Sequence, residues 1–183
     1  MALTYSSMLE LGSSLEEFKL LNTVSGNDFS SSELDEAKPS LIMFICNHCP
    51  YVIHYHDEIK RLANDFDDTI NMVAISSNDI REYPQDGPEK MKELWAELGL
   101  SFPYLFDSTQ DVAKQYKAEC TPEFYLFDSS QKLVYRGRLD ESSPNSRLEP
   151  TGEDLRNAVE NVLNNKDVNA DQFPSMGCNI KWK

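Results

Sequence analysis

The sequence predicts an α/β fold with a central mixed β-sheet flanked by helices. Three observations carry this. LIMFIC (41–46) and TINMVAISSN (69–78) are near-continuous apolar runs of strand length, the pattern of strands buried on both faces. Segments of helical periodicity alternate with such runs along the chain. EFYLFD and KLVYRGRL, joined by SSQK, read as a β-hairpin near the end. The resulting order, β, β-α-β, α, β, α, β-β, α, implies a mixed sheet with helices on both faces.

Taken in order, LELGSSLEEFKLLNTV (9–24) reads as a loop and a short strand around Phe18 to Leu21, and SGNDFSSSEL as turns. After the LIMFIC strand comes Pro50. Tyr51, Val52, Tyr55, Ile59, Leu62 and Phe66 then recur at helical spacing with charges between them, so one helix is expected from Pro50 onward. REYPQDGP is a loop, and Pro88 and Gly99 bracket the helix PEKMKELWAELG. FPYLFD (102–107) is a short strand, and Asp107 or Ser108 can cap the helix STQDVAKQYKA. PTGEDLRNAVENVLNNK makes the last helix, and DVNADQFPSMGCNIKWK reads as a polar, irregular tail.

The 183 residues suit one domain, 1–183, with residues 167–183 docked on it. ESSPNSRLEP (141–150) is the nearest thing to a linker. At 40% hydrophobic and 26% charged, the composition is that of a soluble globular protein. The net charge of −14 argues against nucleic acid and anionic membranes as partners, because phosphate binding runs on Lys and Arg. No apolar run is long enough to span a bilayer, and the N-terminus has no secretory pattern, so a cytoplasmic location is expected. In a reducing compartment the four cysteines point to reactive or metal-binding thiols rather than a disulfide framework.

Residues 44–56, FICNHCPYVIHYH, hold two of the four cysteines and all three histidines. Cys46 and Cys49 form a C-x-x-C where a buried strand gives way to a helix. A thiol in the first helical turn faces unpaired N–H groups and the positive end of the helix dipole, which favour the reactive thiolate. One sulfur can attack and the other resolve. His48 between them can add positive charge or a hydrogen bond near Cys46. Zinc is the rival, but a second C-x-x-C is missing, Cys120 and Cys178 are far apart in the chain, and His54 and His56 cannot face the same way on a helix. Cys120-Thr121-Pro122 precedes the strand EFYLFD. An X-Pro bond there can be cis, and Pro is tolerated as the first residue of a strand.

Together LELGSSLEEFKL, FICNHCPYV, ECTPEFYLFD and SMGCNIKWK resemble the thioredoxin-like, AhpC/TSA-like redoxin proteins. The resemblance implies a thioredoxin-like fold with an N-terminal extension and a C-terminal tail. Cys46 would be the exposed nucleophile and Cys49 the buried resolving thiol. Thr121 and Pro122 would match the cis-proline loop, with the Thr121 backbone pairing an extended substrate like an added strand. Ile45 and Asn-His replace the Trp and Gly-Pro of thioredoxin, and the strand LIMFI lacks the carboxylate that thioredoxin keeps beneath its dithiol. His48 is similar in place to the histidine of disulfide isomerases and oxidases. A second register, Cys49-Pro50-Tyr51, resembles a glutaredoxin start with Val52 in place of its second cysteine.

The expected function is a thiol-disulfide oxidoreductase with a redox-active Cys46/Cys49 dithiol, tuned by His48, with Cys120 and Cys178 as possible extra redox thiols. No cofactor and no metal are expected. Its partners would be a disulfide-containing protein or small molecule and an external thiol, or a donor of the thioredoxin or glutathione type. Two alternatives stand beside it. One is a peroxiredoxin-like thiol peroxidase, against which the Pro-x-x-x-Thr/Ser-x-x-Cys stretch is missing. The other is a non-enzymatic metal-binding protein using Cys46, Cys49 and a histidine.

Overall fold

The computed structural model describes residues 3–183. Its strands are β1 (Leu3–Tyr5), β2 (Lys19–Asn22), β3 (Asp28–Ser30), β4 (Ser40–Phe44), β5 (Asn71–Ser76), β6 (Tyr104–Phe106), β7 (Cys120–Thr121), β8 (Glu123–Phe127), β9 (Leu133–Gly137) and β10 (Met176–Asn179). Its helices are α1 (Pro50–His54), α2 (His56–Phe66), α3 (Pro88–Leu98), α4 (Asp111–Gln115) and α5 (Glu153–Leu163). The main sheet runs β3-β2-β6-β5-β4-β8-β9. It is mixed: β4, β5 and β6 are parallel neighbours, and the other pairings are antiparallel. This is the thioredoxin-like α/β architecture.

The apolar run that forms β4 is buried at every position because the sheet is covered on both faces. Its side chains alternate. Leu41 and Met43 join Met72 and Ala74 of β5 in a core with Ile59, Leu62, Trp95, Leu155 and Val159 from α2, α3 and α5. Ile42 and Phe44 face the other way with Val73, Ile75, Val112 and Tyr116, under α4 and Phe18.

Several local expectations differ from the structure. The helix after Pro50 is not continuous: it breaks at Tyr55 (φ −96°, ψ 1°), whose hydroxyl donates to the Ser142 carbonyl at 2.7 Å. Helix α4 starts at Asp111, after Gln110 in a left-handed conformation (φ 69°). Asp107 still caps it from upstream, accepting the Ala113 N–H at 3.0 Å. The turn-rich segment after β2 contains strand β3. The tail contains β10, which pairs antiparallel with β1 on one side and β7 on the other. MGCN has neither alternation nor strong strand formers, so its strand character comes from its neighbours rather than its sequence. Among the described residues no helix is long and apolar enough to cross a membrane.

Candidate dithiol site

Strand β4 ends at Phe44, and the Ile45 N–H still bonds the Ile75 carbonyl at 3.0 Å. Cys46, Asn47 and His48 then run as irregular chain to Cys49, the N-cap residue of α1. Neither cysteine therefore lies inside the first helical turn. Cys49 sits at the cap, and Cys46 precedes it by three residues. Pro50 opens the helix, where its missing N–H costs nothing.

The expected exposure of Cys46 is corrected: Cys46 is 1% and Cys49 0% exposed. Thr121 lies against both sulfurs, and β10 lies against that of Cys49. Cys46 Sγ is 3.4 Å from Thr121 Oγ1, and Cys49 Sγ is 3.2 Å from the Thr121 carbonyl oxygen. The Thr121-Pro122 bond is cis. Cys49 Sγ is also 2.8 Å from Cys178 Sγ. The strand edge of Thr121 is not open to a substrate in this form, because Cys178 pairs with Thr121 and Asn179 with Cys120.

The two sulfurs of the C-x-x-C differ in acidity. A hydrogen bond from the Cys46 thiol holds Cys49 down, to about 5, against the cost of its burial. The Cys178 thiol and the N–H groups of Val52 and Cys178 assist. The same bond to Cys49, then burial and the Asp86 charge, push Cys46 well above an ordinary thiol. The Thr121 carbonyl beside Cys49 favours a thiol there, but several donors outweigh one acceptor. Burial and the bond to Cys49 push Cys178 up to about 12.

His48 does not stand as an isolated positive charge between the cysteines. Its Nδ1 lies 2.9 Å from Oδ2 of the buried Asp86, and its ring stacks on Tyr83 with centroids 5.1 Å apart. Asp86 Oδ2 also accepts from Asn78 Nδ2 at 2.8 Å. Asp86 closes a short 3-10 turn, Pro84–Asp86, within the segment read as a plain loop. Nothing in the sequence marks it: the LIMFI strand beneath the dithiol holds no acid, and an Asp in a polar loop carries no local signal. Tyr104, which donates to Asn47 Oδ1 at 3.1 Å, is hidden in the sequence because within FPYLFD it reads only as a buried strand residue.

Cys46, His48 and Asp86 each offer a donor atom, all within 4.8 Å of one another, and could hold a metal ion. This set differs from the one named in the metal-binding alternative, Cys46, Cys49 and a histidine, because Asp86 takes the place of Cys49. His54 points instead to Ser142, with Nε2 2.9 Å from Oγ, and His56 is half-buried, which lowers its basicity. Cys120 is buried beside Glu123, with Sγ 3.8 Å from Oε2, and burial pushes its thiol up. Among the described residues no hydrogen bond joins Cys120 to Cys46 or Cys49. Successive strand residues face opposite ways, so the neighbour that points Thr121 Oγ1 at Cys46 turns Cys120 away.

Residues 10–152 match the family model Redoxin. The chain belongs to the redoxin family. Along its whole length this redoxin is similar to a conserved protein of Geobacillus kaustophilus of known crystal structure, with 48% identity, 100% of this chain and 97% of that one covered, and a TM-score of 0.97. It is 26% identical to thiol-disulfide oxidoreductase YkuV of Bacillus subtilis (strain 168) over 106 residues, 58% of this redoxin and 70% of YkuV. A secreted disulfide oxidoreductase of Mycobacterium tuberculosis shares the fold, with 17% identity, a TM-score of 0.60, and 78% and 94% of the two chains covered.

Proposed function

We propose that this redoxin is a thiol-disulfide oxidoreductase in which Cys46 and Cys49 cycle between dithiol and disulfide. The observation that carries the reading is a C-x-x-C whose two sulfurs both pack on Thr121, at 3.4 and 3.2 Å, beside the cis Thr121-Pro122 bond. The relation to YkuV supports the same chemistry. The pair holds one proton, on Cys46, and one negative charge, on Cys49.

Cys46 attacks one sulfur of a partner disulfide as its proton passes to Cys49. The partner's S–S bond breaks, and its first thiolate leaves and takes up a proton from water. Cys49 gives its proton to the medium and attacks Cys46 Sγ in the mixed disulfide. The Cys46–Cys49 bond forms, and the second partner thiolate leaves. An external thiol run through the same steps in reverse restores the dithiol. Attack requires contact between sulfurs, so β10 must lift from Thr121 before a partner enters. The partner's chain then takes the strand edge at Thr121 and Pro122. Disulfide-bearing proteins or small molecules are the substrate class, and His48 with Asp86 tunes Cys46.

Turnover of a glutathionylated peptide tests the roles. Cys46→Ser is expected to lower the rate about a thousandfold. Cys49→Ser is expected to accumulate a mixed disulfide at Cys46, visible as an added mass. Full activity in Cys46→Ser would overturn the assignment.

A further inference from the structure

Cys49 touches a second sulfur that the two-cysteine cycle does not use. Cys178 Sγ lies 2.8 Å away, and closing to the S–S bond length of about 2.05 Å needs less than about 1 Å of movement. The approach is built by the whole tail. Gly177 lies so close to β7 that a Cβ there would overlap the Thr121 carbonyl oxygen. The Ile180 N–H bonds the Glu119 carbonyl at 3.0 Å. The Lys181 N–H bonds Asn78 Oδ1 at 2.8 Å, and the other end of that amide holds Asp86. The Lys181 carbonyl accepts from the Asp79 N–H and from Gln110 Nε2, each at 2.8 Å. Cys178 is thus delivered to Cys49 by a strand paired with β7 and a following segment fastened to Glu119, Asn78, Asp79 and Gln110.

We propose that Cys178 is a third redox thiol, which takes the disulfide over from the Cys46–Cys49 pair and staples β10 onto β7. This rests on the dithiol cycle proposed above. Once that cycle has left a Cys46–Cys49 disulfide and β10 has returned, Cys178 attacks Cys49 Sγ. The Cys49–Cys178 bond forms and the Cys46–Cys49 bond breaks. Cys46 leaves as thiolate and takes up the proton that Cys178 releases. One disulfide replaces another, so no further oxidant is consumed. The product is closed, because the staple fixes the strand that must lift for a partner disulfide to enter. It reopens when the Cys46 thiolate attacks Cys49 Sγ in reverse, which re-forms Cys46–Cys49, returns the proton to Cys178 and frees β10 to lift so that an external thiol can reduce the pair. The oxidised protein is therefore held out of the exchange cycle until a donor thiol is present.

The test equilibrates the full chain in graded mixtures of reduced and oxidised glutathione. Thiols are trapped by alkylation, and the disulfides are mapped by mass spectrometry. In the unaltered protein the Cys49–Cys178 disulfide is expected to exceed Cys46–Cys49. Cys178→Ser is expected to carry Cys46–Cys49 instead. Gly177→Val, which forces β10 away from Thr121 but keeps all four thiols, is expected to lower the ratio of the first disulfide to the second about tenfold. A Cys46–Cys49 disulfide with Cys178 alkylated throughout would overturn the staple and leave the dithiol cycle standing. A Cys49–Cys178 disulfide in the unaltered protein without any Cys46–Cys49 in Cys178→Ser would overturn both the transfer and the Cys46–Cys49 cycle on which it rests. Absence of both disulfides would overturn the dithiol cycle as well.

Discussion

His48 and Asp86 form a tight pair beside the dithiol, with Nδ1 2.9 Å from a carboxylate that is 0% exposed. By sequence, a histidine between two cysteines offers a positive charge to stabilise a thiolate. In the fold its ring is turned toward a negative group that also acts on Cys46. The carboxylate opposes ionisation of Cys46, while Cys49 keeps the thiolate. Asp86 thereby helps set which of the two sulfurs is charged at rest.

Replacing Asp86 with Asn removes that charge and keeps the shape. The Asp86 charge pushes the Cys46 thiol up, so its loss must bring the thiol down. In a Cys49→Ser background, where Cys46 has no neighbouring thiolate, Asp86→Asn is expected to raise the Cys46 thiolate fraction at pH 7 about tenfold. The rate of iodoacetamide alkylation at Cys46, followed by mass spectrometry, reads this directly. An unchanged rate would show that the carboxylate does not act on the sulfur.

The acidity of Cys49 gives a pH signature. With its thiol lowered to about 5, the protein carries a thiolate at pH 7 that an ordinary cysteine would not. Ultraviolet absorbance of the thiolate is expected to fall as pH drops through about 5, and Cys49→Ser is expected to abolish that step. Cys178→Ala removes one of the donors and is expected to move the step to higher pH. The sign for stability follows. The folded value lies below the unfolded one, so this group's contribution is complete above the unfolded value and fades as pH falls toward 5. Denaturant midpoints of the unaltered protein and Cys49→Ser should converge on acidification.

How much of this was legible depended on how locally each feature is encoded. β4 and β5 were readable because a strand covered on both faces is apolar at every position, as in Leu41 to Phe44. α3 was readable because Pro88 opens it and Gly99 closes it at φ 70°. Cys46, Cys49, Thr121 and Cys178 could be singled out by type, yet their meeting depends on contacts across as many as 129 positions. Asp86 was invisible because its role comes from burial beside His48, 38 positions away, not from its neighbours in the chain. The break at Tyr55 was hidden because the apolar spacing of Val52, Tyr55 and Ile59 runs straight through it. β10 was hidden because Gly177 is selected by the nearness of Thr121, whereas strand patterns are read from side chains.

Below the dithiol helix, Glu58 of α2 is 1% exposed and binds two arginines: Arg61 Nε at 2.6 Å and Arg156 Nε at 2.5 Å. The second bond ties α2 to α5. Glu58→Gln keeps the volume and removes the charge. Both arginines have solvent within reach, at 52% and 20% side-chain exposure, so the loss should be smaller than for a fully buried pair. A destabilisation of about 1–3 kcal/mol is expected, read as a lower denaturant midpoint at constant slope. A midpoint within error of the parent would mean that the two ion pairs contribute nothing net.

Gly152, the N-cap residue of α5, faces that same carboxylate. Its φ of 67° is left-handed, and a Cβ there would lie 2.5 Å from Glu58 Oε1. Its N–H also donates to Asp140 Oδ2 at 2.7 Å, which fixes the backbone in place. Gly152→Ala therefore meets both a strained backbone and a crowded acid, and about 1–3 kcal/mol of stability should be lost. Part of that cost is contact and part is conformation, and Glu58 separates them. In a Glu58→Ala background the carboxylate is gone, so Gly152→Ala should cost only the conformational part, about 1 kcal/mol. Equal costs in the two backgrounds would assign the whole effect to the backbone, and would show that Glu58 yields to the added methyl without losing its arginines.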